Sequence, residues 1–376
     1  MRIEGFLKVV LYFLLLLSGM NSVAQKELDS SITASKNKIF EDPNKAISIG
    51  NEIYLKATQP ETKVNALMLI SNAYLSKRDN LKSLEYALKS REFLNEISSI
   101  RTRINVLNTI GMQHQQLRIY DKSIEYLDEA LQLSKQITNP DSLASLLGYN
   151  YTIRGFIYRE QMSCEIALNY FEKAFNEFEK KSEDKTMIAN LSTITYNKGN
   201  CFLQLSQVDS ARVNFNKSII YAEEVGAKSL YAFAKKGLSE VYTIEGKYTK
   251  AIKELKEAEE ASSNVGDLIL NQGIYKNLSD NYLAINDHKF YNLYFKKYSE
   301  VQKRISEKEQ TTINSSINNL IEESYSSTEK TLSNLNIVWW VLIVLILTSI
   351  IIFGSLSIKN HKKYKEAKEK LETLKA

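Results

Sequence analysis

The residues of this chain best suited to catalysis or metal binding are few, and their spacing keeps them apart. Its three histidines, His114, His288 and His361, lie too far from one another in sequence to form a local metal motif. Cys164 and Cys201 make no CxxC pair and no redox motif. Phosphate-cradling loops, dinucleotide fingerprints and nucleophile elbows are absent. The chain therefore reads as a non-enzyme that needs no cofactor and no metal. What remains is the chemistry of recognition: side-chain amides that hydrogen-bond an extended backbone, and aromatic rings that pack on side chains. Whether such groups act together depends on the elements that space them.

Those elements are helical. Only 13 Gly and 3 Pro occur in 376 residues, too few turn-formers for a β-rich fold. Pro43, Pro60 and Pro140 follow Asp42, Gln59 and Asn139, each fitting the first position of a helix, where a missing N–H costs nothing. The length predicts more than one structural unit, and 44% hydrophobic with 25% charged residues predicts a folded chain. The net charge of +5 sits at the two ends: residues 25–358 carry 40 basic and 40 acidic side chains. No basic excess is left for a phosphate backbone, so nucleic acid is not an expected partner.

Two apolar segments account for the charged ends. Residues 1–24 run from Arg2 and Lys8 through an apolar stretch at 9–17 to Ser22-Val23-Ala24, the order of a secretory signal peptide cleaved after Ala24. Its apolar core of about 9 residues is short of the roughly 20 that span a bilayer. Residues 337–358 hold no charge, open on Trp339 and Trp340, and are followed by Lys359, Lys362, Lys363 and Lys365. That is the pattern of a transmembrane helix with its lysine side in the cytoplasm. The sequence thus predicts an exported region anchored by one span, with 359–376 as a basic, helical cytoplasmic tail whose start contacts anionic head groups.

Between these segments a pattern recurs. Small residues open similar stretches at Ser83, Ser123, Ala167, Ala211 and Ala251, with Tyr291 as a bulky last member, at steps of 40 or 44 residues. Twelve residues earlier stand Ser71, Gly111, Gly155, Gly199, Ser239 and Ser279, and three residues after each of these come Tyr74, His114, Tyr158, Phe202, Tyr242 and Tyr282. A small residue lets two helices approach, and the ring one turn on fills the space beside the contact. His114 occupies this packing column and so reads as structural. An earlier half-unit is expected at 42–46.

The small-x-x-aromatic helix followed by Ala-x-x-x-Phe-x-x-Ala (as in Ala167, Phe171 and Ala174) resembles the tetratricopeptide (TPR) family, with units nearer 40 than 34 residues. The resemblance covers residues 41–298. It implies an all-α, TPR-type α-solenoid: a right-handed superhelix of helix pairs with a concave groove for proteins or peptides. In such a groove, first-helix residues beside the small column line the binding surface. These are Asn72, Phe156 and Asn200 one residue after the column, and Asn108, Tyr196 and Lys236 three residues before it. The stack also places Cys164 and Cys201 on one edge, where free buried thiols are the default and a bridge the alternative.

The domain layout expected is then signal peptide 1–24, TPR solenoid 25–299, juxtamembrane helix 300–336, span 337–358 and tail 359–376. Apolar marks at Val301, Ile305, Ile313, Ile317, Leu320 and Ile321 would let the juxtamembrane helix pair with a second copy as a short coiled coil. This layout resembles bacterial membrane-anchored TPR signalling proteins without their usual C-terminal effector domain. It implies the inner membrane, with periplasmic repeats that act as a scaffold or sensor for a protein or peptide. The alternative is a truncated or split signalling receptor or transcriptional regulator working through a cytoplasmic partner.

Overall fold

The computed structural model describes residues 27–36, 39, 42–263 and 267–373, without the side chains of 140–142, 308, 309, 311–338, 364 and 366–373. The expected signal peptide lies outside the described residues. So do the juxtamembrane side chains on which most of the coiled-coil expectation rests. The chain divides into two compact units, residues 1–307 and 308–376.

The first unit is a succession of helix pairs. Helix α1 covers 27–36 and is followed by α2 (Pro43–Lys56), α3 (Pro60–Ser76), α4 (Asn80–Arg91), a 3-10 turn (Leu94–Glu96), α5 (Ile100–Gln116) and α6 (Tyr120–Ser134). Then come α7 (Pro140–Glu160), α8 (Cys164–Glu179), α9 (Lys185–Gln204), α10 (Val208–Glu224), α11 (Lys228–Ile244), α12 (Tyr248–Ser262), α13 (Leu268–Ala284) and α14 (His288–Thr373). The three prolines stand at the starts of α2, α3 and α7. Asp42 caps α2 by accepting from the Lys45 N–H at 3.0 Å. The half-unit expected at 42–46 is completed by α1, whose Ile32 packs with Ile53 and Ala66.

The two sequence columns meet face to face. Ser71 and Ser83 exchange hydrogen bonds, each hydroxyl donating to the other's carbonyl at 2.8 and 2.7 Å. Ser123 donates to the Gly111 carbonyl at 2.6 Å. At Gly155 and Gly199 the approach is closer still, because the rings of Phe171 and Phe215 lie where a Cβ would be. Phe215 is also covered by Gly237 of the next first helix, so one ring fills the space between two pairs. The aromatic column stacks on the residue 12 positions later: Tyr74 on Tyr86, His114 on Tyr126, Tyr158 on Tyr170 and Tyr282 on Tyr294, with centroids 5.3–5.6 Å apart.

The first helices α3, α5, α7, α9, α11 and α13 end the same way. Arg78, Arg118, Met162, Ser206, Gly246 and Asn286 all adopt positive φ, between 59° and 71°. The next amide then bonds back to the carbonyl of the aromatic-column residue, as in Ile119 to His114 and Gln207 to Phe202. This is the Schellman closure, and it recurs at the repeat period although only one of the six residues is glycine.

Helices α5 and α7, α9 and α11, and α11 and α13 pack directly on each other, while second helices of neighbouring pairs do not touch to a comparable extent. The first helices therefore line the narrow, inner side of this unit. Val301 is buried within it, which removes the first residue of the proposed coiled-coil stripe from any partner helix.

In the second unit, the described helix contains residues Trp339–Lys363, apolar and long enough to cross a bilayer, with a mean hydropathy of 2.8. Its large apolar side chains are exposed, from Trp339 at 64% to Ile358 at 73%.

Candidate functional site

The inner face holds a cavity of about 370 Å³ lined by Tyr196 of α9, Phe233 and Lys236 of α11, Ile269, Gln272, Gly273 and Lys276 of α13, and Tyr298 of α14. Three first helices thus contribute, and Tyr298 closes the end. Tyr196 is fixed from behind by Phe215 and Phe233, with ring centroids 5.9 and 5.6 Å away. Gly273 makes room for the Lys236 stem, since a Cβ there would come within 2.8 Å of Lys236 Cε. The Lys236 ammonium donates to Glu240 at 2.6 Å, and Glu240 also accepts from Asn277 at 3.1 Å. Burial works against its charge, but Tyr196 and Glu240 outweigh it and hold the Lys236 pKa above the usual lysine range. Lys276 pairs with Asp280 at 2.8 Å, both more than half exposed, an ion pair that an incoming carboxylate can displace at little cost. The cavity therefore offers an aromatic and aliphatic floor, one anchored cation and one releasable cation. That combination suits an apolar side chain beside an acidic or backbone carbonyl group.

Of the six residues expected on the binding surface, Tyr196 and Lys236 line this cavity. Asn72, Phe156 and Asn200 are half-buried and do not line it. Phe156 packs edge-on against Phe171 at 5.8 Å, and the Arg159 guanidinium lies 5.6 Å from its ring centroid. Asn108 is a correction. It is fully buried, donating to the Leu146 carbonyl at 3.0 Å and accepting from Asn150 at 2.8 Å. Asn150 passes the network to Arg154, which ends on Asp128. Asn108 holds α5 to α7 and has no free face for a ligand. Phe156 and Tyr196 also belong to packed clusters, so neither is the dispensable surface residue that the column alone suggests.

The sequence reading missed Phe233, Ile269, Gln272 and Tyr298. A signal for most of them existed. Phe233 stands six residues before Ser239, and Gln272 and Ile269 stand seven and ten before Ser279. Extending the column three before the small residue back by further helical turns reaches all three. Among the described residues, no group of three or more His, Cys, Asp or Glu is placed to hold a metal ion.

No family model matches the sequence, and no curated protein matches it either. Solved structures do. A Rap protein complexed with competence and sporulation factor superposes with a TM-score of 0.54 at 15% identity, over 75% of this chain and 88% of that one. NprR in complex with its cognate peptide NprX superposes with a TM-score of 0.54 at 14% identity, over 75% of this chain and 80% of that one. The repeats have a TPR-type fold. Within this TPR solenoid the cavity lies on the inner face, formed by the last three first helices and the start of α14.

Proposed function

We propose that this chain is a membrane-anchored TPR interaction module that holds a segment of a protein or peptide partner on the inner face of its last units. The observation that carries the reading is the cavity, where Tyr196, Phe233 and Tyr298 give apolar contact and Lys236 and Lys276 give charge. Aromatic anchors seated in pockets dominate most protein interfaces. The peptide in the NprR complex supports the same use for a fold of this kind. Burying the exposed apolar side chains of 339–358 calls for a bilayer, and the lysines that follow favour a cytoplasmic tail with the repeats outside. The receptor reading is favoured by one feature: Tyr298 lines the cavity and belongs to the same helix, α14, that carries the apolar segment.

The test uses the full chain in detergent, with substitutions at the cavity rim that spare the packed clusters. Ile269→Ser with Lys276→Glu should reduce partner capture from envelope extract at least tenfold, with circular dichroism and melting unchanged. An identical set and yield of captured proteins from two equally folded proteins overturns the site. A reporter fused after Ala376 that is active only outside the cytoplasm overturns the orientation.

A further inference from the structure

Cys164 is the first residue of α8, and Cys201 lies in the last turn of α9. Both thiols are free and buried, and both sit in one packed cluster with Phe171 and Phe178. Nothing in the peptide-binding reading uses them. Two contacts bring them to the same place. The Cys164 thiol donates to Oε1 of Gln204, which lies three residues beyond Cys201 and so on the same face of α9. Cys201 lies close enough to Cys164 for the two thiols to interact electrostatically, within the cluster they share. The pair bridges two successive helix pairs, α7–α8 and α9–α10.

We propose that Cys164 and Cys201 form an oxidisable dithiol, whose disulfide fastens α8 to the end of α9 and stiffens the middle of the solenoid. The oxidant is an external disulfide, of the glutathione class or on a thiol–disulfide exchange protein. Cys164 is itself 3% exposed against 0% for Cys201, and it adjoins the exposed turn at Met162, so opening of that turn presents its sulfur first. It loses its proton and attacks one sulfur of the external disulfide, expelling one thiol and leaving a mixed disulfide on Cys164. Cys201 then gives up its proton and attacks the Cys164 sulfur, expelling the second thiol. Two protein thiols are oxidised by two electrons, and one external disulfide is reduced to two thiols. Burial, reinforced by the neighbouring Cys164, keeps the proton on Cys201 well above the ordinary thiol range. The second step therefore quickens as pH rises. The bridge joins positions 37 apart, which restricts the unfolded chain, and it pins the turn of α9 that carries Asn200.

The experiment takes the full chain in detergent, reduced and then freed of reductant, and adds oxidised glutathione. Samples are quenched in acid, unfolded and alkylated with a polyethylene-glycol maleimide, and thiols are counted by gel shift and intact mass. The wild type should lose both thiols without keeping a glutathione adduct, and the oxidised form should melt about 5–10 °C above the reduced form. Cys201→Ser should stop at one glutathione adduct on Cys164, whereas Cys164→Ser should leave Cys201 unreacted while folded. The proposal is overturned if the folded wild type keeps both thiols under conditions that close the pair in urea. A stable double adduct, or an oxidised form that melts below the reduced one, overturns it equally.

Discussion

Gly155 sets two forces of known sign against each other. A Cβ there would lie 2.3 Å from Cε1 and 2.5 Å from Cδ1 of Phe171, where carbon atoms in favourable contact stand about 3.5–4.0 Å apart. Phe171 is completely buried and sits among Ala167, Ala174 and Phe178, so its ring has no outward route. Helix propensity alone favours Ala over Gly by about 1 kcal/mol. Overlap in a packed core costs about 1–3 kcal/mol. We expect overlap to win, so that Gly155→Ala destabilises by about 1 kcal/mol net and lowers the melting temperature by a few degrees. Gly273→Ala is the matched control. It gains the same propensity and meets only the flexible stem of Lys236, at 2.8 Å, so it should be neutral or stabilising. The assay is thermal and urea unfolding of the full chain in detergent, followed by circular dichroism. Hydrogen exchange in α7 and α8 supplies a local readout, because long repeat arrays need not unfold in one step. Adding Phe171→Leu to Gly155→Ala should recover part of the loss, a coupling that independent sites do not show. A Gly155→Ala protein that melts at or above the wild type, or one no worse than Gly273→Ala, refutes the close packing of α7 on α8.

Three further outcomes are expected. Burial first, and then Lys122, hold the His114 pKa below the ordinary 6.5; the unfolded chain takes the proton first as pH falls, so the stability contributed is present above 6.5 and is lost below it, through the depressed folded value. His114→Phe, which keeps a ring on Tyr126, should flatten the fall in melting temperature between about pH 7 and pH 5, and an unchanged slope would remove the assignment. Asn108→Ala should cost about 1–3 kcal/mol of folding stability by orphaning Asn150 and the Leu146 carbonyl, while partner capture by the protein that remains folded is unchanged; lost capture at full stability would return Asn108 to the binding surface. Ser206→Gly, at a φ of 59°, should raise stability by about 0.5–1 kcal/mol in the same melts, and a loss there would show that the Ser206 side chain contributes more than its backbone strain costs.

The pairing of helices was legible because packing columns are made by residue size, and size is written in the sequence. A glycine or serine at 71, 111, 155, 199, 239 and 279 can only be answered by something that comes close, and the answering residues 12 positions later carry the same period. The Schellman turns were hardly legible. Their backbone demand falls on Arg78, Arg118, Met162 and Ser206 as well as on Gly246 and Asn286, so residue type gave a sign of it at only two of the six. What imposes positive φ there is the tertiary constraint of returning the chain into the next helix, which overrides local preference. The polar network of Asn108, Asn150, Arg154 and Asp128 was invisible for a related reason. Asn108, Asn150 and Arg154 are hydrophilic residues that read as surface, yet they satisfy one another inside the stack, and the chain of bonds ends on the exposed Asp128.

The binding face was half legible because one sequence column does two jobs. Three residues before the small position stand Met68, Asn108, Thr152, Tyr196, Lys236 and Lys276. The first three are buried, Tyr196 and Lys236 are half-buried, and Lys276 is exposed. Asn108, Tyr196 and Lys236 each meet the next first helix, so their exposure depends on what that helix brings. Where α7 follows α5, Leu146 and Asn150 cover Asn108 and consume its hydrogen bonds. Where α13 follows α11, Gly273 brings nothing, and the Lys236 stem stays at the edge of an open space. After α13 no further first helix follows among the described residues, and Tyr298 of α14 closes the cavity from one side only. The chemistry for recognition therefore gathers at the end of the repeat array, where the stack runs out of neighbours to satisfy it, and that position is set by the number of repeats rather than by any local motif.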